Sequence, residues 1–523
     1  MKLRARAALA AAASGLAAVA GAQVQIRSQL PPPRITSMRS TPPVVAIDWS
    51  RVTAISKVHG TTQIGTVGRG PLHRKIYQEL TAFNAQYPRW QIWGGGAKDP
   101  NLGSAEPLPP ANGASHWEFG TIDDSLNQFV RAVKGHDYIV NLPVTPEWMY
   151  APDPAIASDV RGPIARVFTR RRLVVGPRQV ADYYARIVSW FEKGGFTDES
   201  GKWHASGEHL RIPNWEVLNE TDMSGMPVTE YTALYDATVT AIRRVDPAMK
   251  FIGLVMGVPE AHPADVIYFL DRRHHAPGIP LDAITLHFYG RYGPWDAPSA
   301  QVASTFAQAK AFIGDVGYVS AIRDRLSPST RVMVDELGTI VGTEAPQVPW
   351  PRELRGRIPF HLRLSAAMYA YIYGSFARLG VESIGQTGMN AGVAGGGGVG
   401  AYVALTLLTP GVGAPNVRYK AAQLLMSEFP PGSKVVDSYT GIGYWGNPPP
   451  MYVQAFIAPD GKRRVLLVNT QDAPSAAIVP GAKGALIHDV GDGSETAAYE
   501  ERTADSDTIT LHGLDVAVLT IPQ

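Results

Sequence analysis

Residues 214–220 read Asn-Trp-Glu-Val-Leu-Asn-Glu (NWEVLNE), and the fold turns on how this stretch is read. Apolar and polar side chains alternate as in a β-strand, yet the run closes on an amide and a carboxylate, Asn219 and Glu220. A strand of central type that finishes on two polar groups fits an architecture that gathers its working side chains at strand ends.

The rest of the chain repeats that pattern. Short apolar runs at 61–67 (TTQIGTV), 89–95 (RWQIWGG), 138–144 (YIVNLPV), 251–257 (FIGLVMG), 283–290 (AITLHFYG), 331–338 (RVMVDELG) and 381–388 (VESIGQTG) join 214–220 as strands. Helical stretches such as 72–86, 125–135, 177–194 and 229–245 lie between them. In 177–194, Val180, Tyr183, Tyr184, Ile187, Val188 and Phe191 recur at helical spacing. Eight strands alternating with helices predict an α/β fold, a TIM (β/α)8 barrel over residues 59–405. The rival, a doubly wound open sheet, lacks the phosphate-binding G-x-G-x-x-G after its first strand. The run Gly392–Gly400 lacks the Lys-Ser/Thr ending of a P-loop and reads as a surface loop.

From residue 406 the character changes to short strands at close spacing with Gly, Asp and Pro turns, which predicts an appended β-sandwich over 406–523. Residues 23–58 begin extended and gain strand character at 44–55, and they are expected to complete that sandwich. At the start of the chain, MKLRAR, an alanine-rich stretch from Ala7 to Ala20 and Ala20-Gly21-Ala22 form a signal peptide over 1–22, so a secreted or periplasmic location is expected. No later apolar run reaches the length of a membrane span. The absence of cysteine excludes disulfides, thiol catalysis and cysteine-ligated zinc. A net charge of +2 offers no basic stripe for phosphates, so nucleic acid is not expected as a partner.

A TIM barrel places its chemistry at the C-terminal ends of its strands. The fourth strand ends on Asn219-Glu220, the sixth on His287-Phe-Tyr289 and the seventh on Asp335-Glu336. Two glutamates facing one another across the mouth suit retaining glycoside hydrolysis. One carboxylic acid protonates the leaving oxygen, and a carboxylate about 5–5.5 Å away attacks the anomeric carbon. Asn219 can donate to a sugar 2-hydroxyl. On the seventh strand, alternation puts Val332, Val334 and Glu336 on one face and Met333 with Asp335 on the other, so Glu336 is chosen over Asp335. Glu216 shares the parity of Glu220 and is expected below it, in a buried ion pair with Arg89.

Trp215-Glu-x-x-Asn-Glu220, the His287-x-Tyr289 pair and Asp335-Glu336-Leu-Gly together resemble clan A of the glycoside hydrolases, most closely family 39, the β-xylosidases and α-L-iduronidases. The resemblance implies that Glu220 is the acid/base, that Glu336 is the nucleophile and that Asn219 contacts the 2-hydroxyl. It further implies that His287 lines the sugar site and that Tyr289 hydrogen-bonds the nucleophile. Thr221 stands where the family commonly has proline. Strand two reads RWQIWGGG where clan members usually carry an arginine near the end, so an altered glycone subsite is expected around Gln91 and Trp93.

Trp93, Trp148, Trp295 and Gln386 are further candidates for the sugar pocket, the tryptophans because an aromatic face stacks on a sugar ring. His274-His275 read as a helix end, and neither a metal nor a cofactor is needed for this chemistry. The expected partner is an oligosaccharide, polysaccharide or glycoconjugate. A non-catalytic glycan-binding protein on the same barrel is the alternative. An esterase has no G-x-S-x-G elbow to support it.

Overall fold

The structure is a computed structural model. It describes residues 41–65, 67, 70–91, 105–106, 108–111, 114–143, 145–151, 172–341, 356–389, 405–409, 411–441, 448–491 and 499–522. The signal segment, Trp93 and the run at 392–400 lie outside these residues.

In chain order the elements are β1 (Ala46–Ile55), β2 (His59–Ile64), α1 (His73–Phe83), β3 (Arg89–Gln91), β4 (Leu108–Ala111), β5 (Ala114–His116), α2 (Gly120–Ala132) and β6 (Ile139–Asn141). Next come α3 (Pro177–Glu192), β7 (Gly195–Thr197), β8 (Trp203–Ala205), β9 (Asn214–Glu216), α4 (Val228–Val245), β10 (Lys250–Met256), α5 (Pro263–Leu270), β11 (Ala283–Tyr292) and α6 (Pro298–Leu326). They are followed by β12 (Arg331–Val341), α7 (Ile358–Leu379), β13 (Ser383–Gln386) and α8 (Val417–Glu428). The last strands are β14 (Lys434–Tyr439), β15 (Met451–Ile457), β16 (Arg463–Asn469), β17 (Ser475–Ile478), β18 (Leu486–Val490), β19 (Glu500–Thr503), β20 (Thr508–Leu511) and β21 (Val516–Thr520).

Strands β2, β3, β6, β9, β10, β11, β12 and β13 close into a parallel barrel, β13 pairing back onto β2, and each is followed by one of α1–α8. This is the TIM barrel expected from the sequence. The helices pack by one apolar face: α3, opened by Gly176 and Pro177, buries Val180, Tyr183, Tyr184, Ile187, Val188 and Phe191. The barrel floor is filled by Ile139, Ile252, Ala283 and Met333, with Tyr87 packed against them. The interior is therefore solid below and can work only at the mouth.

Beyond the barrel, β1-β14-β15-β16-β21-β18-β19 form one sheet, and β17-β20 form a second that shares its core through Ala477, Ile509 and Leu511. The N-terminal strand thus pairs with the C-terminal domain, antiparallel to β14. After β1, the strands of the sheet resume at Lys434, because α8 first completes the barrel. Its cap is set by Asn416, whose side chain accepts from Arg418 N (2.9 Å) and Tyr419 N (3.4 Å). The other face of the large sheet buries Phe456, Leu466, Val468 and Val518 in the same core as the barrel helices.

Candidate active site

Strand β9, which begins at Asn214, stops at Glu216. The chain then leaves β geometry: Leu218 (φ 60°) and Glu220 (φ 47°) are both left-handed, a conformation costing about 1–3 kcal/mol for residues with side chains. Neighbours hold it there. Asn141 Nδ2 donates to Leu218 O (2.7 Å), and Tyr231 Oη donates to Val217 O (3.0 Å) while accepting from Leu254 N (2.7 Å). Asp222, two residues on, accepts from Gly257 N (3.1 Å) and Val258 N (2.9 Å). A Cβ on Gly257 would lie 3.0 Å from Glu220 Oε1, so that glycine leaves the carboxyl its room. Asn219 and Glu220 are consequently both buried at the mouth.

The seventh strand departs from the expected alternation. In the pairing of β11 with β12, Leu286 faces Val334 and His287 faces Glu336, which skips Asp335. Against β13, Val334 faces Ile384 and Leu337 faces Gln386, with the same extra residue. Asp335 is a β-bulge, and a bulge breaks the two-residue period. Both Asp335 and Glu336 therefore reach the site, and the expectation that only one could is corrected. Gly385 makes the bulge possible, because a Cβ there would lie 2.6 Å from Asp335 O.

Arg89 joins these pieces. Fully buried, it donates through Nε to Glu216 Oε2 (2.6 Å) and through Nη2 to Asn219 Oδ1 (2.6 Å). Through Nη1 it reaches Gln63 Oε1 (2.5 Å) and Glu336 Oε1. Its Nε also passes 2.9 Å from Asp335 Oδ2, an electrostatic contact because the hydrogen points at Glu216. Arg89, from the second barrel strand, therefore reaches well beyond the expected pairing with Glu216. A guanidinium has donors only, which forces Asn219 to turn its oxygen inward and leaves Asn219 Nδ2 without a partner among the described residues.

Glu336 is gripped on both oxygens, Oε1 by Arg89 and Oε2 by the Tyr289 hydroxyl. Tyr289 Oη also lies 3.1 Å from Thr387 Oγ1. His287 stands between the carboxyls, its Nδ1 2.7 Å from Glu220 Oε1 and 3.6 Å from Glu336 Oε2. One oxygen of Glu220, one of Glu336 and a ring nitrogen of His287 all lie within 4.8 Å of one another.

The environments of the acids differ. Burial raises the pKa of Glu220, His287 lowers it, and the Glu336 charge adds to the rise; the result lies above the usual carboxylate range. Burial would also raise Asp335, but Arg89 and His287 outweigh it and hold that carboxyl at about 2. Burial pushes Glu216 up, Arg89 opposes, and the Asp335 charge helps bring it to about 8. For His287, burial disfavours the cation, yet Glu336, Asp335 and Glu220 keep the ring protonated well above its ordinary value.

Glu220, His287 and Glu336 also form the one group among the described residues whose spacing could hold a metal ion. Arg89 and Tyr289 already occupy both oxygens of Glu336, however, and a guanidinium in the cluster opposes a second cation.

The remaining candidates make contacts of their own. Trp148 is half-buried and donates from Nε1 to Glu106 O (3.0 Å), and Trp295 is 67% exposed in the loop after β11. Gln386 is buried with its Nε2 on Arg418 O (3.0 Å), facing α8, so the structure does not bring it to the carboxylates. Thr387 takes that place. Gln63 and Thr387 were missed, being neutral residues with no motif to mark them.

No family model and no curated protein matches the sequence. Solved structures do resemble it. An α-L-arabinofuranosidase of glycoside hydrolase family 51 from Thermotoga petrophila aligns with a TM-score of 0.59 at 13% identity, over 92% of this chain and 100% of that one. A family 30 endoxylanase from Clostridium papyrosolvens aligns at 0.52 and 11% identity, over 92% and 100%. A glucosidase from Croceicoccus marinus aligns at 0.53 and 14% identity, over 92% and 99%. At such identities the likeness establishes the shared fold, a barrel with its attached sheet domain.

Proposed function

We propose that this protein is a clan A glycoside hydrolase that cleaves O-glycosidic bonds with retention of configuration. The observation that carries the reading is the Glu220–Glu336 pair: two carboxyls with oxygens within 4.8 Å, in opposite environments. Inverting enzymes need about 6.5–9.5 Å between carboxyls to admit a water, whereas retaining ones need about 5–5.5 Å. Burial and the neighbouring Glu336 charge raise the pKa of Glu220, which suits an acid, while Arg89 and Tyr289 donate to the two oxygens of Glu336.

In the first step the Glu336 carboxylate attacks the anomeric carbon as Glu220 protonates the departing oxygen, leaving a glycosyl ester on Glu336. That ester removes the charge that helped raise Glu220, so the carboxyl now favours its anion and serves as base for the incoming water. Water attacks, the ester breaks, and Glu220 recovers its proton. The free Asn219 Nδ2 donates to the sugar 2-hydroxyl, oriented by Arg89. The N-terminal segment supports export, with the substrate met outside the cytoplasm.

The sugar is a matter for a screen. The sequence motifs point to xylosides and iduronides, and the named structural relatives to arabinofuranosides, xylans and glucosides. Purified protein is expected to release the aglycone from at least one aryl glycoside of this panel. Glu220→Ala should spare the substrates with the best leaving groups and regain rate with azide. Equal loss on activated and unactivated substrates would remove Glu220 from the acid/base role. Glycan binding with no sugar released would favour the non-catalytic reading.

A further inference from the structure

Asp335 has no part in the chemistry above, yet it is fully buried, charged and placed by a bulge with a dedicated glycine behind it. Its Oδ1 lies 3.3 Å from His287 Nε2, and the opposite nitrogen of that ring, Nδ1, lies 2.7 Å from Glu220 Oε1. Glu220 and Asp335 therefore flank the two ring nitrogens, Glu220 by a hydrogen bond and Asp335 by an ionic contact that falls outside hydrogen-bond geometry. The ring is wholly buried and cannot turn to water.

We propose that Asp335 is a positioning residue for Glu220: through Nε2 it keeps His287 a cation whose Nδ1–H is fixed on Glu220 Oε1, leaving Oε2 to carry the catalytic proton. The inference rests on the glycosidase reading. In the first step one negative charge passes from Glu336, which becomes an ester, to Glu220, which loses its proton. His287 Nδ1 sits 2.7 Å from one and 3.6 Å from the other, so a fixed cation faces the charge before and after it moves. A ring free to become neutral would lose that effect, and removing its buried counter-charge disfavours the cation.

The groups facing His287 are consistent with this. Glu216 and Glu220 come from the fourth barrel strand and its end, Asp335 and Glu336 from the seventh, Arg89 from the second and Tyr289 from its own strand. The fifth strand, Lys250–Met256, carries one titratable group, Lys250, which is exposed and pairs with Asp282. Glu216 at about 8 is neutral near pH 7, which leaves Asp335 as the carboxylate at the Nε2 side of the ring.

The test is ¹⁵N NMR of the histidine rings in the full-length protein, with His287 assigned by its loss in His287→Gln. Both His287 nitrogens should stay protonated across roughly pH 5–8, where an ordinary histidine titrates. In Asp335→Asn the ring should lose a proton inside that window, and the alkaline limb of kcat/KM should move to higher pH. Poor leaving groups should lose at least tenfold more rate than activated ones, and in a His287→Gln background Asp335→Asn should move the limb no further. A neutral ring in the wild type overturns the proposal, even if the variant fails to fold. So does a variant whose ring titration and pH limb are both unchanged. The NMR needs no turnover, so an absence of glycosidase activity would count against the reaction assigned above and remain distinct from the state of the ring.

Discussion

Arg89 shows how much a single side chain can organise. It contacts Glu216, Asp335, Glu336, Asn219 and Gln63, and removing it leaves several buried carboxyls without their cation. Breaking a buried ion pair on one side costs about 3–5 kcal/mol, so Arg89→Met should lose at least that in urea unfolding and abolish turnover. A loss under about 1 kcal/mol would mean the network contributes little to stability. Glu216 gives a pH-dependent counterpart. Its folded pKa of about 8 exceeds the unfolded value of about 4.3, so the stability it contributes is complete below the unfolded pKa and is lost as pH rises through 8. Glu216→Gln keeps the neutral form, and its stability relative to wild type should improve from pH 5 to about pH 8 and level off above it. Parallel curves would place the titration elsewhere. At this scale the sequence was legible where chemistry is marked by type and order: Glu220, Glu336, His287 and Tyr289 all meet at the mouth. Gln386 carried the right chemistry but had no spacing to confirm it, and its side chain turns to Arg418 on α8.

Among the elements, the seventh strand is the instructive one. Its place in the barrel followed from an apolar run of ordinary length, as did that of the other seven strands, because burial on both faces writes itself into composition. Its bulge did not. A bulge is decided by what the neighbouring strands allow, and here the permission is Gly385, on the next strand and fifty residues away in sequence. Likewise NWEVLNE reads as one strand, whereas the left-handed Leu218 and Glu220 depend on hydrogen bonds from Asn141 and Tyr231 on other elements. Gly385→Ala should therefore act on the bulge. Overpacking of this kind costs about 1–3 kcal/mol, and activity should fall further than that loss of stability alone explains. Full activity with a normal melting curve would show that the bulge tolerates a methyl group.

On the scale of the whole molecule, barrel and sheet share one core. Phe456, Leu466 and Val518 of the sheet join Tyr369, Tyr373 and Phe376 of α7 in it. Polar contacts cross the same boundary, with Arg378 Nε donating to Gln454 Oε1 (2.5 Å) and Arg464 Nε paired with Glu428 Oε2 (2.6 Å). Calorimetry should accordingly find one unfolding transition, and two separated transitions would show that the parts melt independently. Retention requires a covalent bond between the sugar and Glu336 in the intact chain. A panel of 2-deoxy-2-fluoro glycosides with good leaving groups, incubated with the protein and followed by intact-mass and peptide mass spectrometry, tests it most directly. One glycosyl group per chain is expected, on the peptide containing Glu336, and none in Glu336→Gln. Label on another residue, undiminished label in Glu336→Gln, or turnover of a natural glycoside to the inverted anomer would contradict it.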